Sequence, residues 1–233
     1  MTAPLRVVCA DLEAPPLFWT AGDGDRAGLE PAITRLVAAR LEREVEWVYT
    51  PWSAFYPAID AGRGDVVWCG QGITEERQRL VDFTEPYAIF NESVLTRPGA
   101  GVAGPEDLVG RRVAAIAGSA NMLLARTFTG AEIVGFDGAS DDVFGDMLGA
   151  LRDHVVDAVV DDDVVLVPLD ADPAYELAFT VETRNPWGVA LPKGSSLRQP
   201  LDDALRAVKA DGSLQALWER ELPSLPYPFQ VSA

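Results

Sequence analysis

Short apolar runs alternate with longer segments of helical period along almost the whole chain, which confines the fold to α/β classes built from βαβ units. Residues 5–9, 45–49 and 65–69 read as strands. Between the first two, Leu29, Ile33, Leu36, Val37 and Leu41 recur at helical spacing. Pro31 suits the first turn of that helix, and Arg35, Arg40 and Arg43 fall on its outer side, so it is expected to pack on a sheet. A shorter helix is expected from an N-cap at Ser53, after Trp52, through Phe55 and Ile59 to a reversal at Gly62.

The pattern breaks at residues 98–105, a stretch of Gly, Pro, Ala and Val without charge that suits a connection leaving the first unit. A second series follows. It has strands at 112–117, 132–136 and 157–160, with helices from Ser119 and around 141–151. Thr183, Arg184, Asn185 and Pro186 supply turn chemistry, and 187–191 reads as a return strand. Two tail helices are marked by Leu197, Leu201, Leu205 and Val208, and by Leu214, Leu217 and Trp218. The expected architecture is a two-lobe α/β fold with a mainly parallel sheet flanked by helices in each lobe. Lobe 1 is discontinuous, 1–97 and 188–233; lobe 2, the smaller, is 98–187.

Composition narrows the function. Among 233 residues, 48% are hydrophobic and 24% charged, the make-up of a chain that buries a substantial core. Thirty-six acidic residues against 19 basic ones give a net charge of -17, so nucleic acid and anionic membrane surfaces are repelled. No apolar run reaches the roughly 20 residues of a membrane span, so no membrane insertion is expected. Cys9, Cys69 and the single His154 supply no soft metal-ligand set, and no cofactor is expected. The two cysteines end strands expected to be neighbours and read as small buried residues; His154, in a loop, is assigned no role. No basic and apolar leader precedes the first strand. As the sequence stands a cytoplasmic location is expected, and an extracytoplasmic one if a leader has been removed.

The segment Gly64-Asp65-Val66-Val67-Trp68-Cys69-Gly70-Gln71-Gly72-Ile73-Thr74-Glu75-Glu76-Arg77, followed by Val81-Asp82-Phe83-Thr84-Glu85-Pro86-Tyr87, carries the clearest signal. Here the chain resembles the type 2 periplasmic solute-binding proteins of family 3, the amino-acid receptors of ABC importers. The resemblance implies that the Gly70 carbonyl takes a ligand ammonium and that Arg77 pairs with the ligand carboxylate. A planar guanidinium is suited to that task, because it offers a carboxylate two parallel charge-assisted hydrogen bonds. By residue type alone, the commoner expectation for Arg77 is a surface ion pair with Glu75, Glu76 or Asp82.

Two further segments extend the resemblance. Val113-Ala114-Ala115-Ile116-Ala117-Gly118-Ser119-Ala120-Asn121 looks like the family's strand, turn and helix start, which implies that Ser119, Ala120 and Asn121 line the ligand and that Ser119 adds a donor to its carboxylate. Helix capping is the commoner role for such a Ser. In Val156-Asp157-Ala158-Val159-Val160-Asp161-Asp162-Asp163 the resemblance makes Asp157 a strand-start residue and Asp162 the ammonium's counter-ion; Asp161 and Asp163 fit ligand contact or a solvated acidic turn equally well. The implied site is an amino-acid clamp that draws the lobes together on binding.

The chain also departs from the family. Gly72 stands where Ser or Thr is usual, Ala120 where a second Thr, Ser or Gly is common, and Ala14 where an aromatic is expected. Trp52 is left as one aromatic wall or as a core residue, with Phe18 or Trp19 able to fill the other wall. Asp11, Glu13 and Glu30 are expected at the side-chain end, favouring a polar or cationic amino acid or a related amine. The expected partners are that ligand and an ABC importer permease, for a monomeric protein that is not an enzyme. Two alternatives stand beside this: a cyclohexadienyl dehydratase-like enzyme using Glu13, Glu30 or Asp162 as acid or base, and an intracellular amino-acid sensor without a transporter.

Overall fold

A computed structural model describes residues 3–11, 13–22, 24–140 and 142–229. It divides into two compact units, 1–89 with 185–233, and 90–184. The expected helix start near Asp141 and the end of lobe 1 lie outside the described residues.

Unit 1 begins with β1 (Leu5–Cys9), β2 (Trp19–Thr20), β3 (Arg26–Ala27) and α1 (Leu29–Arg40). It continues through β4 (Val45–Tyr49), α2 (Phe55–Asp60), β5 (Val66–Val67), α3 (Glu75–Leu80) and β6 (Asp82–Phe83) into β7 (Ala88–Thr96). Unit 2 takes over inside β7. It adds β8 (Arg112–Ile116), α4 (Ala120–Ala125), β9 (Glu132–Phe136), α5 (Val143–Arg152), β10 (Ala158–Asp162) and α6 (Asp163–Leu166), then most of β11 (Glu176–Trp187). The chain returns to unit 1 for β12 (Ala190–Leu191), α7 (Arg198–Ala210) and α8 (Ser213–Glu221).

The unit 1 sheet runs β4-β1-β5-β12-β6, with β1 parallel to β4 and β5, and β12 antiparallel to β5 and β6. The unit 2 sheet runs β11-β7-β10-β8-β9, with β8 parallel to β9 and β10, and β10 antiparallel to β7. Both sheets are therefore mixed, where mainly parallel ones were expected, and both have five strands, so the second sheet is not the smaller one that the sequence suggested, although unit 2 is the shorter unit. The antiparallel partners are strands that carry the chain between the units or back from them, which periodicity does not distinguish from βαβ strands.

For the same reason the crossings fall at 89/90 and 184/185 and not at 97/98 and 187/188. The Gly/Pro stretch after Thr96 lies within unit 2, and Thr183 to Pro186 are part of β11, bent at Arg184 with φ +50. Ser53 sits inside a 3-10 turn, Trp52–Ala54, and caps nothing; α2 starts after Ala54. Arg43 follows the end of α1 and turns inward to Asp65, 3.2 Å away.

In unit 1, β1 is buried between β4 and β5, and α1 packs Leu29, Ile33 and Val37 inward while meeting α7 and α8. The start of α1 depends on backbone: Leu29 and Glu30 N–H groups donate to the Pro16 and Leu17 carbonyls at 3.1 and 3.0 Å. Gly28, at φ +110, permits that approach, because a Cβ there would stand 2.5 Å from the Leu17 oxygen. Gly28→Ala is expected to cost about 2 kcal/mol or more of stability, read as a lower urea midpoint. In unit 2, Val94, Leu108, Val113, Met122, Phe128 and Val160 form the core between sheet and helices. Asp157 binds Arg112 and Arg97 at 3.1 and 3.2 Å; these bonds outweigh the effect of burial and hold its carboxyl down to about 2. Cys9 and Cys69 are buried free thiols, and His154 is exposed. No described helix is long and apolar enough to cross a membrane.

Candidate functional site

In unit 1 the turn after β5 is fixed from several sides. The Gly70 N–H, at φ +59, donates to Glu30 Oε2 at 2.8 Å. The buried Gln71 side chain donates to the Cys69 carbonyl at 2.7 Å and accepts from the Tyr56 hydroxyl at 2.8 Å, while its backbone carbonyl accepts from Gly188 at 3.0 Å. Thr74 caps α3 by accepting from the Arg77 N–H at 3.2 Å, and Arg77 Nη1 reaches back to the Gly72 carbonyl at 3.1 Å. The guanidinium lies 5.9 Å from the Trp52 ring centroid.

Arg77 is thus held at both ends, and among the described residues it pairs with no carboxylate. Glu75 faces Arg79 at 3.8 Å, and Asp82 is taken by Lys193 at 3.1 Å and the Gly194 N–H at 2.8 Å. The surface ion pair expected by residue type does not form. Trp52 is half-buried beside this cation and packs on Phe55 at 5.1 Å, so it serves both as an aromatic face and as part of the packing. A Cβ on Gly72 would stand 3.2 Å from the Asn185 amide nitrogen. The space of the usual hydroxyl residue therefore borders Asn185, which sequence reasoning placed in a turn.

The acids expected together in this unit are dispersed. Glu30 is 2% exposed, beneath the Gly70 turn, and accepts from the Tyr87 hydroxyl as well. Burial raises its carboxyl to about 7, against the opposing effects of the Tyr87 and Gly70 hydrogen bonds and Arg26. Glu13 is spent on Thr20, accepting from its N–H at 3.0 Å and its hydroxyl at 2.8 Å, with Arg26 3.7 Å away. Asp11 is exposed. Phe18 is buried against the Arg26 guanidinium at 5.0 Å and forms no exposed wall, because that buried cation needs a covering face.

In unit 2, Ser119 uses its hydroxyl locally. It donates to the Ile116 carbonyl at 2.7 Å and accepts from the Met122 N–H at 3.0 Å, capping α4. The expected extra donor for a carboxylate is therefore committed, and Ala120 simply opens a six-residue helix. Ser119→Ala is expected to cost about 1 kcal/mol of stability while leaving ligand affinity within about twofold, as compared by thermal unfolding and calorimetry.

Asn121, buried, donates to Asp161 at 2.9 Å, and Asp161 also accepts the Asp162 N–H at 2.8 Å. Asp163 accepts from Asn91 at 3.1 Å, and Glu92, opposite Asp162 in the β7/β10 register, accepts from the Thr183 hydroxyl. Asp161, Asp163 and Glu92 are 6%, 5% and 3% exposed, so the solvated acidic turn is excluded. Burial raises Asp161 to about 6; burial and then Asp163 and Asp161 raise Glu92 to about 7. Asp162 stands well above its usual range through burial, Asp161, Glu92 and Asp163, and its Oδ1 is buried without a partner. Among the described residues no cation pairs with any of the four, and none of the Asp/Glu/His/Cys groups is arranged to hold a metal.

Glu92, Asn91 and Thr183 were missed in the sequence. For Asn91 and Glu92 the signal was three polar residues, with Ser93, in the middle of the apolar run 88–96, which only the antiparallel register ties to Asp162.

The model of the bacterial extracellular solute-binding proteins, family 3, matches residues 6–223. The chain belongs to that family. The L-cystine-binding protein TcyJ of Escherichia coli (strain K12) is 30% identical over 212 residues, 88% of this chain and 78% of the relative. An ancestral arginine-binding protein, solved with bound arginine, superposes with a TM-score of 0.82 at 27% identity over 94% of this chain and 98% of its own. An ancestral amino acid-binding protein described as a precursor of cyclohexadienyl dehydratase gives 0.80 at 26% identity over 93% and 94%. The α/β fold, with mixed sheets flanked by helices, is that of the periplasmic binding proteins, and the relatives named here are amino-acid-binding proteins.

Proposed function

We propose that this family 3 protein binds a polar or cationic α-amino acid and delivers it to the permease of an ABC importer. The observation that carries the reading is Arg77: a guanidinium held by the Gly72 carbonyl, on a backbone whose N–H donates to Thr74, beside an aromatic face and without a carboxylate partner among the described residues of its own unit. Such a group is prepared for the carboxylate of a ligand. Unit 2, taken by itself, gathers Asp161, Asp162, Asp163 and Glu92 with no cation of their own among the described residues, and such a surplus of acids supports a ligand that brings positive charge. Names of relatives that bind arginine and cystine support the same class.

The protein is read as a binder without turnover. Glu13 and Glu30, two of the acids an enzyme would need, are committed to Thr20 and to Gly70 with Tyr87. Calorimetry at pH 8 with L-arginine, L-lysine, L-histidine, L-glutamine and L-cystine tests the proposal. Binding of at least one of them is expected; binding only of aliphatic or acidic amino acids would overturn it, and product from prephenate or arogenate would overturn the non-enzymatic reading.

A further inference from the structure

Glu30, buried in unit 1, touches the turn that carries Arg77's support. One carboxylate oxygen accepts from the Gly70 N–H at 2.8 Å and the other from the Tyr87 hydroxyl. Two residues beyond Gly70, the Gly72 carbonyl holds Arg77. Tyr87 is itself fixed, its N–H donating to the Trp187 carbonyl at 2.9 Å. The carboxylate therefore ties the turn to the framework of unit 1 from below.

We propose that Glu30 is a positioning residue for the turn at 70–72, and that amino-acid affinity follows the charge state of its carboxyl. This rests on the amino-acid reading above. An ionised carboxylate is acceptor-only and satisfies both donors at once. A protonated one carries a hydrogen on one oxygen, so either its bond to Tyr87 reverses, the carboxyl donating to the Tyr87 oxygen while that hydroxyl's own hydrogen is turned into a buried place, or the Gly70 N–H loses its partner.

The surroundings leave this carboxyl to titrate on its own. Arg26 from β3 is the facing cation and favours the ionised form. Cys9 at the end of β1 and Cys69 before the turn are both raised by burial, Cys9 to about 12, and Tyr87 is raised well above its usual range by burial and by Glu30 itself. All three stay neutral near pH 7. Burial places Glu30 at about 7, inside the working range.

The test follows the Gly70 amide resonance of ligand-free protein from pH 5 to 9, together with L-arginine affinity by calorimetry, in wild type, Glu30→Gln and Tyr87→Phe. The Gly70 shift is expected to titrate with a midpoint near 7 in wild type and to be flat in E30Q. At pH 8, E30Q is expected to bind L-arginine about three- to tenfold more weakly than wild type, and at pH 5.5 the two should coincide. Other carboxyls, Glu92 and Asp161 among them, are unchanged in E30Q, so the difference between the two curves isolates Glu30. Y87F removes a donor that lowers the Glu30 pKa, so its midpoint should move to higher pH. Equal affinity of E30Q and wild type at pH 8, or a wild-type Gly70 resonance that does not titrate, would overturn this proposal and leave amino-acid binding standing. Absence of binding by wild type to every amino acid in the calorimetric panel would overturn the amino-acid reading itself, and this proposal with it.

Discussion

Arg77→Ala is expected to lower amino-acid affinity by about 2–5 kcal/mol, roughly 30- to 5000-fold, because truncating one partner of a desolvated charge pair leaves the other unpaired. The geometry explains why so much depends on one side chain. Of the five guanidinium N–H groups, the structure commits Nη1 to Gly72, which leaves the fork free to meet a carboxylate through parallel hydrogen bonds. Arg77→Lys keeps the charge but offers one ammonium for both the Gly72 carbonyl and the ligand, so a loss of about tenfold or more is expected. Stability should hardly change. Arg77 has no ion-pair partner among the described residues, and the cap on α3 uses its backbone N–H, which alanine retains. An unfolding midpoint within about 0.5 kcal/mol of wild type, with binding lost in calorimetry, is the expected pair of results. R77A affinity within about threefold of wild type would place the carboxylate site elsewhere.

What could be read in the sequence divides along a physical line. Strand and helix positions followed from local periodicity, while the roles read for Arg77 and Asp162 rest on the resemblance carried by short motifs at strand ends. What failed depended on pairing or burial. The antiparallel return of β12 looks locally like any short apolar strand, and Thr183 to Pro186, rich in turn residues, were drawn into β11 by their partners. Glu13 and Glu30 were grouped with Asp11 at the expected side-chain end of the pocket. Burial separates them: Glu30 lies under the Gly70 turn, while Glu13 staples Thr20. Ser119 illustrates the limit on a hydroxyl, whose single hydrogen is spent on Ile116 before any ligand arrives. Glu92 joined Asp162 only through the β7/β10 register, which no linear pattern encodes.

The buried acids also predict an unusual dependence of stability on pH. Most acid denaturation reflects carboxyls whose folded pKa is depressed, and Asp157, held near 2, and Asp65, lowered by Arg6 and Arg43 against its burial, are of that kind. Their contribution is present above the unfolded value near 3.8 and is lost as pH falls toward the folded one. Glu30 and Glu92 are of the opposite kind, raised from 4.5 to about 7, and Asp161 rises from 3.8 to about 6. Between their unfolded and folded values the native state binds more protons than the unfolded chain, so stability decreases as pH rises through that window. Ligand-free protein should therefore be most stable near pH 4 to 5 and weaken by pH 8, by on the order of 3 kcal/mol for each of Glu30 and Glu92. The net charge of -17 acts in the same direction, since each ionised acid adds to self-repulsion. Urea unfolding at pH 4.5, 6 and 8 measures the slope, and Glu92→Gln removes the share that belongs to Glu92. E92Q is expected to be more stable than wild type at pH 8 and equal to it near pH 4.5. A cationic amino acid should oppose the same loss by binding the native state, so its stabilising effect should be larger at pH 8 than at pH 5. Stability that rises steadily from pH 5 to 8 in the ligand-free protein would mean that these carboxyls are compensated, and that their surplus is not what selects a cationic ligand.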